Sequence, residues 1–221
     1  MVTPVYRPPP AGELPFLHVS ATLLVVDKPA GLLTVPGRGA DKADCLLARV
    51  RARFADAMIV HRLDMSTSGI VVLARGPQAQ RALSMLFQER RVTKRYAALV
   101  AGAWTEAAAG TIDLPLIADW PNRPRQKIDH AVGKSCLTRY RVLESDAARG
   151  ISRVELEPVT GRSHQLRVHM EAAGHPILGD ELYGTAASRA KAERLMLHAC
   201  FIEFVDPATG ETVRATSAAP F

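Results

Sequence analysis

The 221-residue sequence predicts an α+β domain on a mixed, largely antiparallel central sheet, with flanking helices and loops. Three observations carry this. Gly69 to Ala74 is a glycine followed by an unbroken β-branched and aliphatic run, the pattern of a strand buried on both faces. Strand-like segments outnumber helical ones without regular βαβ alternation, which disfavours a doubly wound parallel sheet. Leu197–Val205 and Thr212–Thr216 flank Asp206-Pro207-Ala208-Thr209-Gly210, a closing hairpin around turn residues. With 48% hydrophobic residues the chain can bury a substantial core, and residues 16–221 are read as one domain.

In chain order, residues 1–15 carry Pro4, Pro8, Pro9, Pro10 and Pro15 and read as an extended surface arm, leaving no room before the first strand for a separate upstream domain. Leu23–Asp27 is a strand, Lys28-Pro29-Ala30-Gly31 a turn, and Leu32–Val35 a short extended piece. Leu46–Phe54 reads as a helix with Asp44 as its N-cap. Pro77–Glu89 is an amphipathic helix with Pro in its first turn and Ala82, Leu83, Leu86 and Phe87 on its apolar face. Tyr96–Val100, Leu137–Leu143 and Ser152–Glu157 are strands. Residues 119–134 show no clear period, so Asp119–Lys127 is a Pro-broken loop: a surface recognition element, or a plain excursion between strands. Ser163–Ala173 is a helix ended by Gly174, Pro176–Asp180 a loop, and Ala186–Arg194 a helix.

Lys and Arg total 28 against 22 Asp and Glu, a net charge of +6, which suits a polyanionic partner without establishing one. Cys45, Cys136 and Cys200 are far apart, lack metal-ligand spacing, and read as small buried hydrophobes. The N-terminus carries no signal pattern, and no apolar run approaches the ~20 residues of a membrane span. A cytoplasmic location is expected.

Two polar clusters stand out. His61, Arg62 and Asp64 crowd together just before Met65-Ser66-Thr67-Ser68-Gly69, so one carboxylate sits on a turn that opens into a rigid buried strand. Locally, Asp64 fits an Asx turn or a helix cap as well as a reactive group. The second cluster, Thr160 to Met170, places Arg162, Arg167, His164 and His169 near a helix start, where outward N–H groups favour carboxylates or phosphates. The two histidines are five apart, not the i, i+4 pair of a helical metal site. The basic run Arg90-Arg91-Val92-Thr93-Lys94-Arg95 precedes Tyr96 and is either a solvated face or a nucleic-acid contact.

His61-Arg62-Leu63-Asp64 followed by Thr67-Ser68-Gly69 resembles the signature of RluA-type RNA pseudouridine synthases. Gly161 to His169 resembles that family's second motif. Lys28 to Leu32, Pro176 to Asp180 and Leu197-His198-Ala199 match its other landmarks, so the likeness runs from about Leu23 to the end. It implies the pseudouridine synthase fold with an active-site cleft across the sheet, no separate S4 RNA-binding domain, and no cofactor or metal. The implied reaction detaches uracil from ribose C1′, turns it and rejoins it through C5. Asp64 is implied as the essential carboxylate, either nucleophile at C1′ or base at the C2′ proton. Arg167 is implied to pair with it, and Tyr96 to stack on uracil and move the C5 proton. Arg62 is implied to enter the RNA as the target base leaves the stack. Val168 and Leu197 are implied as apolar contacts to that base. Arg90, Arg91, Lys94, Arg95, Arg123, Arg125 and Lys127 are the expected phosphate contacts.

The compact length and the Asp119–Lys127 loop resemble members that act on two RNAs, a tRNA anticodon stem-loop at uridine 32 and a 23S rRNA hairpin at uridine 746. The expected partner is RNA alone, with no membrane, no obligate protein partner and a monomeric enzyme. Alternatives are a family member with another rRNA or tRNA target, an inactive RNA-binding relative, and a hydrolytic nucleosidase. The joint presence of Asp64, Tyr96 and Arg167 speaks against the inactive relative. The lack of a second motif carboxylate beside Asp64 speaks against the hydrolase.

Overall fold

The structure, a computed structural model, describes residues 6–104 and 109–221. The arm expected over residues 1–15 falls partly outside these, at residues 1–5. In chain order the elements are β1 (Phe16–Val19), β2 (Leu23–Lys28), α1 (Leu46–Arg51), β3 (Ala57–Ile59), β4 (Ser68–Arg75) and α2 (Gly76–Gln88). Then come β5 (Thr93–Ala101), β6 (Ala109–Asp113), β7 (Leu116–Ala118), β8 (Gln126–Ile128), β9 (Leu137–Asp146) and β10 (Ile151–Pro158). The chain ends with α3 (Gln165–Ala172), α4 (Ala186–Ala190), β11 (Leu197–Val205) and β12 (Thr212–Thr216). This is the α+β fold with a largely antiparallel sheet and few helices that the sequence predicts.

The chain divides into two compact units. The first holds the described residues up to Thr93 together with Ala199–Ala219, and the second those of Lys94–His198 together with Pro220–Phe221.

In the first unit β2 pairs antiparallel with β1 and β4, β3 with β4, and β12 with β11. Leu23 to Val26 and Val71 to Ala74 are fully buried, so these strands are covered on both faces. One face packs Leu23, Val25, Ile70, Val72 and Ala74 against Leu83 and Leu86 of α2, with Ile202, Phe204, Val213 and Ala215 completing the cluster. The Pro-rich segment lies along this unit: Tyr6 Oη donates to Asp44 O at 3.0 Å, and Arg49 Nη2 donates to Pro9 O at 2.7 Å. The N-cap of α1 differs from expectation. Cys45 fills it, its Sγ accepting from Ala48 N–H at 3.4 Å. Asp44, one residue too early, is drawn into a fork with Arg49 that holds its carboxyl below the usual range. Nor is Leu32–Val35 a strand; the carbonyls of Leu33 and Thr34 accept from Leu46 and Leu47 at the start of α1.

The second unit orders its strands β5-β10-β9-β6, each neighbouring pair antiparallel. Ser152, Val154, Leu156 and Pro158 of β10 face inward, while Glu155 and Glu157 pair across the outer face with Arg141 and Arg139 at 2.9 and 2.8 Å. Ala98, Val100, Val154, Leu156, Leu166, Met170, Ile177 and Leu197 form the core. The segment read as a loop is the tip of a small hairpin in which Leu116, Ile117 and Ala118 pair with Ile128, Lys127 and Gln126. Three-residue strands are too short to show a period of two. Helix α4 stops short of Arg194 because the chain turns to set Met196 N–H on Leu178 O (2.9 Å) and Leu99 N–H on Met196 O (3.1 Å). Among the described residues no helix is long and apolar enough to cross a membrane.

Gly69, the second residue of β4, has φ +110°, and a Cβ there would run into the Ala199 backbone. The strand after the Asp64 turn therefore requires glycine. Gly69→Ala is expected to destabilise the protein by about 2–3 kcal/mol, read as a lower denaturant midpoint, with the slope unchanged.

Candidate active site

The Asp64 turn is fixed at both flanking peptides. Thr34 Oγ1 donates to Leu63 O at 2.8 Å and accepts from Leu63 N–H at 3.3 Å. On the other side Met65 O accepts from Gly31 N–H at 2.8 Å and Lys28 Nζ at 3.2 Å. Thr67 N–H closes the turn on Asp64 O at 3.1 Å. Lys28 is wholly buried and also donates to Pro29 O and Leu32 O at 3.0 and 2.8 Å. Burying an ammonium costs several kcal/mol unless its protons find acceptors, and these carbonyls supply them. His61 holds the incoming chain: its Nε2 accepts from Val72 N–H at 2.9 Å and its ring stacks on Phe87, centroids 4.4 Å apart. The proton therefore sits on Nδ1. Between these supports Asp64 is half-buried, and Arg62 and Met65 are exposed. The backbone is rigid where the carboxylate is carried, the preorganisation a reacting group needs. Thr34 and Lys28 were not marked as supports in the sequence; the only sign was Lys28 at the head of a Pro-Ala-Gly turn.

In the second unit the organising contact is the fork of Arg167 on Asp180. Nε donates to Oδ2 at 2.8 Å and Nη2 to Oδ1 at 2.7 Å, with side chains 5% and 1% exposed. Asp180 Oδ1 also accepts from Leu182 and Tyr183 N–H at 2.9 and 3.1 Å. Burial pushes the Asp180 carboxyl up, but the guanidinium and the two amides outweigh it and hold it below the usual carboxylate range. Tyr183 Oη accepts from Gln126 N–H at 2.7 Å and shares a second hydrogen bond with His164 Nδ1, also at 2.7 Å. Its ring lies 5.2 Å from the Arg167 guanidinium and 5.1 Å from that of Arg125. Burial pushes its phenol up.

The start of α3 departs from the expected exposed anion site. Ser163 and His164 are outside the helix, His164 in the left-handed region at φ 55°. Gln165 to Met170 are all buried. Gln165 Oε1 accepts from Thr160 Oγ1 at 2.8 Å and Arg162 N–H at 3.0 Å, while its Nε2 donates to Leu137 O and Thr138 Oγ1 at 2.9 and 3.0 Å. His169 meets Leu114 O through Nε2 (3.0 Å) and Thr138 Oγ1 through Nδ1 (2.9 Å), and burial lowers its pKa, so it is a neutral structural group. Of the four cationic or imidazole side chains, Arg162 remains exposed.

The other expected residues are distributed as follows. Tyr96 is half-buried on β5, opposite Leu156 and against the core. Val168 is buried with Leu116, Cys136 and Tyr183, and Leu197 lies in the main apolar cluster. Arg90 and Arg91 are exposed at the end of α2, Arg90 at φ 60° and Arg91 beside Glu89 at 3.2 Å. Lys94 lies beside Gly161, and burial lowers its pKa. Arg95 is half-buried. Arg123, Arg125 and Lys127 are exposed on the β7–β8 hairpin.

Asp180→Asn breaks the buried fork and is expected to cost about 3–5 kcal/mol in urea unfolding. The folded Asp180 pKa is depressed, so its contribution is present above the unfolded carboxylate value of about 3.9 and lost as pH falls through the folded value. The variant should therefore lose part of the stability decrease seen below about pH 4.

The chain matches the family profile described as RNA pseudouridylate synthase over residues 22–172. It is 47% identical over 216 residues to the dual-specificity RNA pseudouridine synthase RluA of Escherichia coli strain K12, covering 98% of both chains. Identity is 44% over the same coverage to the Haemophilus influenzae protein of that name. Among solved structures, human RNA Pseudouridylate Synthase Domain Containing 1 superposes with a TM-score of 0.79 at 33% identity, covering 97% of this chain and 87% of the human one. Human RNA Pseudouridylate Synthase Domain Containing 4, at 24% identity and a TM-score of 0.71, shares the fold. With a profile match over most of its length and relatives alike from end to end, the chain belongs to the RNA pseudouridine synthase family.

Proposed function

We propose that this RNA pseudouridine synthase works through Asp64, Tyr96 and Arg167, with Arg62 taking the place of the extruded uridine. The observation that carries the reading is the Asp64 turn, gripped at Leu63 and Met65 while the carboxylate between them stays half-exposed. A structural Asx turn would not need both neighbouring peptides held by buried side chains.

The reaction is an isomerisation: the N1–C1′ bond breaks, a C5–C1′ bond forms, and the C5 proton is lost while N1 gains one. The chemistry needs an ionised carboxylate at the sugar, as nucleophile at C1′ or as base for the C2′ proton. Arg167 supplies positive charge that favours the ionised form, and its own orientation is set by Asp180. Tyr96 stacks on the turning uracil and handles the C5 proton. Extrusion of a base costs a few kcal/mol, and the exposed guanidinium of Arg62 can refill the stack. Val168 and Leu197 line the apolar side of the base. Arg90, Arg91, Lys94, Arg95, Arg123, Arg125 and Lys127 contact phosphate, giving salt-dependent affinity.

The RluA relatives are dual-specificity enzymes by name. Likeness along nearly the whole chain supports two targets here as well, and we assign them to the anticodon-loop uridine of tRNA and the 23S hairpin uridine named above. The enzyme acts as a monomer in the cytoplasm, with RNA as its partner and without cofactor or metal.

Asp64→Asn is expected to abolish tritium release from C5-labelled uridine RNA while RNA affinity stays within about threefold of wild type. Turnover at a tenth or more of wild type would remove Asp64 from this role. Free uracil and an abasic site in the product of the wild-type enzyme would instead mark a hydrolase.

A further inference from the structure

We propose that Trp120, backed by Arg123, is a stacking platform for an unpaired base of the RNA other than the target uridine. The proposal rests on the reading of RNA as substrate and adds a base-binding site outside the catalytic residues.

Trp120 stands at the tip of the β7–β8 hairpin and is 66% exposed, the most exposed aromatic among the described residues. A large apolar ring held in water at a loop tip is costly unless something covers it. The Arg123 guanidinium lies 3.8 Å from its centroid and covers one face. That leaves the other face for a planar partner, with a cation already stacked behind the ring.

The tip is not a loose tether. Asn122 N–H bonds Asp119 O, Arg125 N–H bonds Asn122 O and Asp119 N–H bonds Arg125 O, each at 3.0 Å. At its base Gln126 N–H is held by Tyr183, whose backbone N–H is bound by Asp180, the carboxylate that orients Arg167. The ring is thus presented at a fixed place relative to Arg167.

The charge around it fits a nucleotide. Arg123, Arg125 and Lys127 are all exposed. The two carboxylates of the hairpin are turned inward to local donors: Asp119 Oδ2 accepts from Asn122 Nδ2 at 2.9 Å, and Asp129 Oδ1 accepts from Ala131 and Val132 N–H at 3.1 Å. Asp129 Oδ2 also lies 3.7 Å from Lys127 Nζ. A ring with cations on its flanks is how proteins hold an unstacked base and its phosphates.

The chain has two tryptophans. Trp104 is 8% exposed and packed between Tyr140 and His175, so a change in fluorescence on adding RNA reports Trp120. The probe is an RNA stem-loop with the sequence of a tRNA anticodon arm, with a fully paired duplex of the same length as control. Expected results are quenching by the stem-loop but not the duplex, absent in Trp120→Phe. Trp120→Ala should bind the stem-loop about ten- to a hundredfold more weakly, seen in KM while kcat at saturating RNA is unchanged. Trp120→Phe keeps a stacking ring and should stay within about threefold of wild type in affinity. An unquenched Trp120, or Trp120→Ala with wild-type affinity and KM, overturns the platform while leaving the synthase reading intact. Failure of the wild-type protein to bind the stem-loop at all overturns the tRNA target and the platform with it.

Discussion

The second unit depends on one buried ion pair. Arg167 and Asp180 are nearly sealed from water, where a lone charge of either sign would be costly. Together they satisfy each other, and the spare acceptor capacity of Asp180 is spent on the amides of Leu182 and Tyr183. Once Tyr183 is set, its hydroxyl fixes Gln126 at the foot of the β7–β8 hairpin and His164 at the entrance to α3. Arg167, the β7–β8 hairpin and the left-handed His164 are thus tied to one carboxylate. Such a contact is weak support for stability as a whole but strong support for a single orientation of the guanidinium.

The first unit solves the same problem with a different charge. Lys28 is wholly buried and directs its protons to backbone carbonyls, one of them on the residue after Asp64. Thr34 holds the residue before it in both directions. In both units buried polar side chains serve loop backbone that no strand or helix would otherwise hold. That is how the Asp64 turn can be held firmly while Asp64 stays half-buried and Arg62 exposed.

The strongest element signals were those set by local rules. The closing hairpin β11–β12 was legible to the residue, because long alternating strands and a turn rich in Pro and Gly leave little choice. The central strand and α2 were legible within a residue or two. The missed strands are short: β3, β7 and β8 have three residues, β1 four and β6 five, and each is held by the hydrogen bonds of its partner strand. Asp44 is a good cap by type but had Arg49 within reach, and Cys45 took the cap.

The order of residues alone determined the fold class, the family, and Asp64 as the candidate carboxylate, since periodicity and motif spacing are written along the chain. It could not say that Arg167 would be gripped by Asp180, that His169 would be a buried neutral support, or that Lys28 and Thr34 would hold the Asp64 turn. Those assignments depend on which groups lose water together. Desolvation is a property of the packed chain, because the groups that exclude water from Arg167 or Lys28 come from segments far away in sequence.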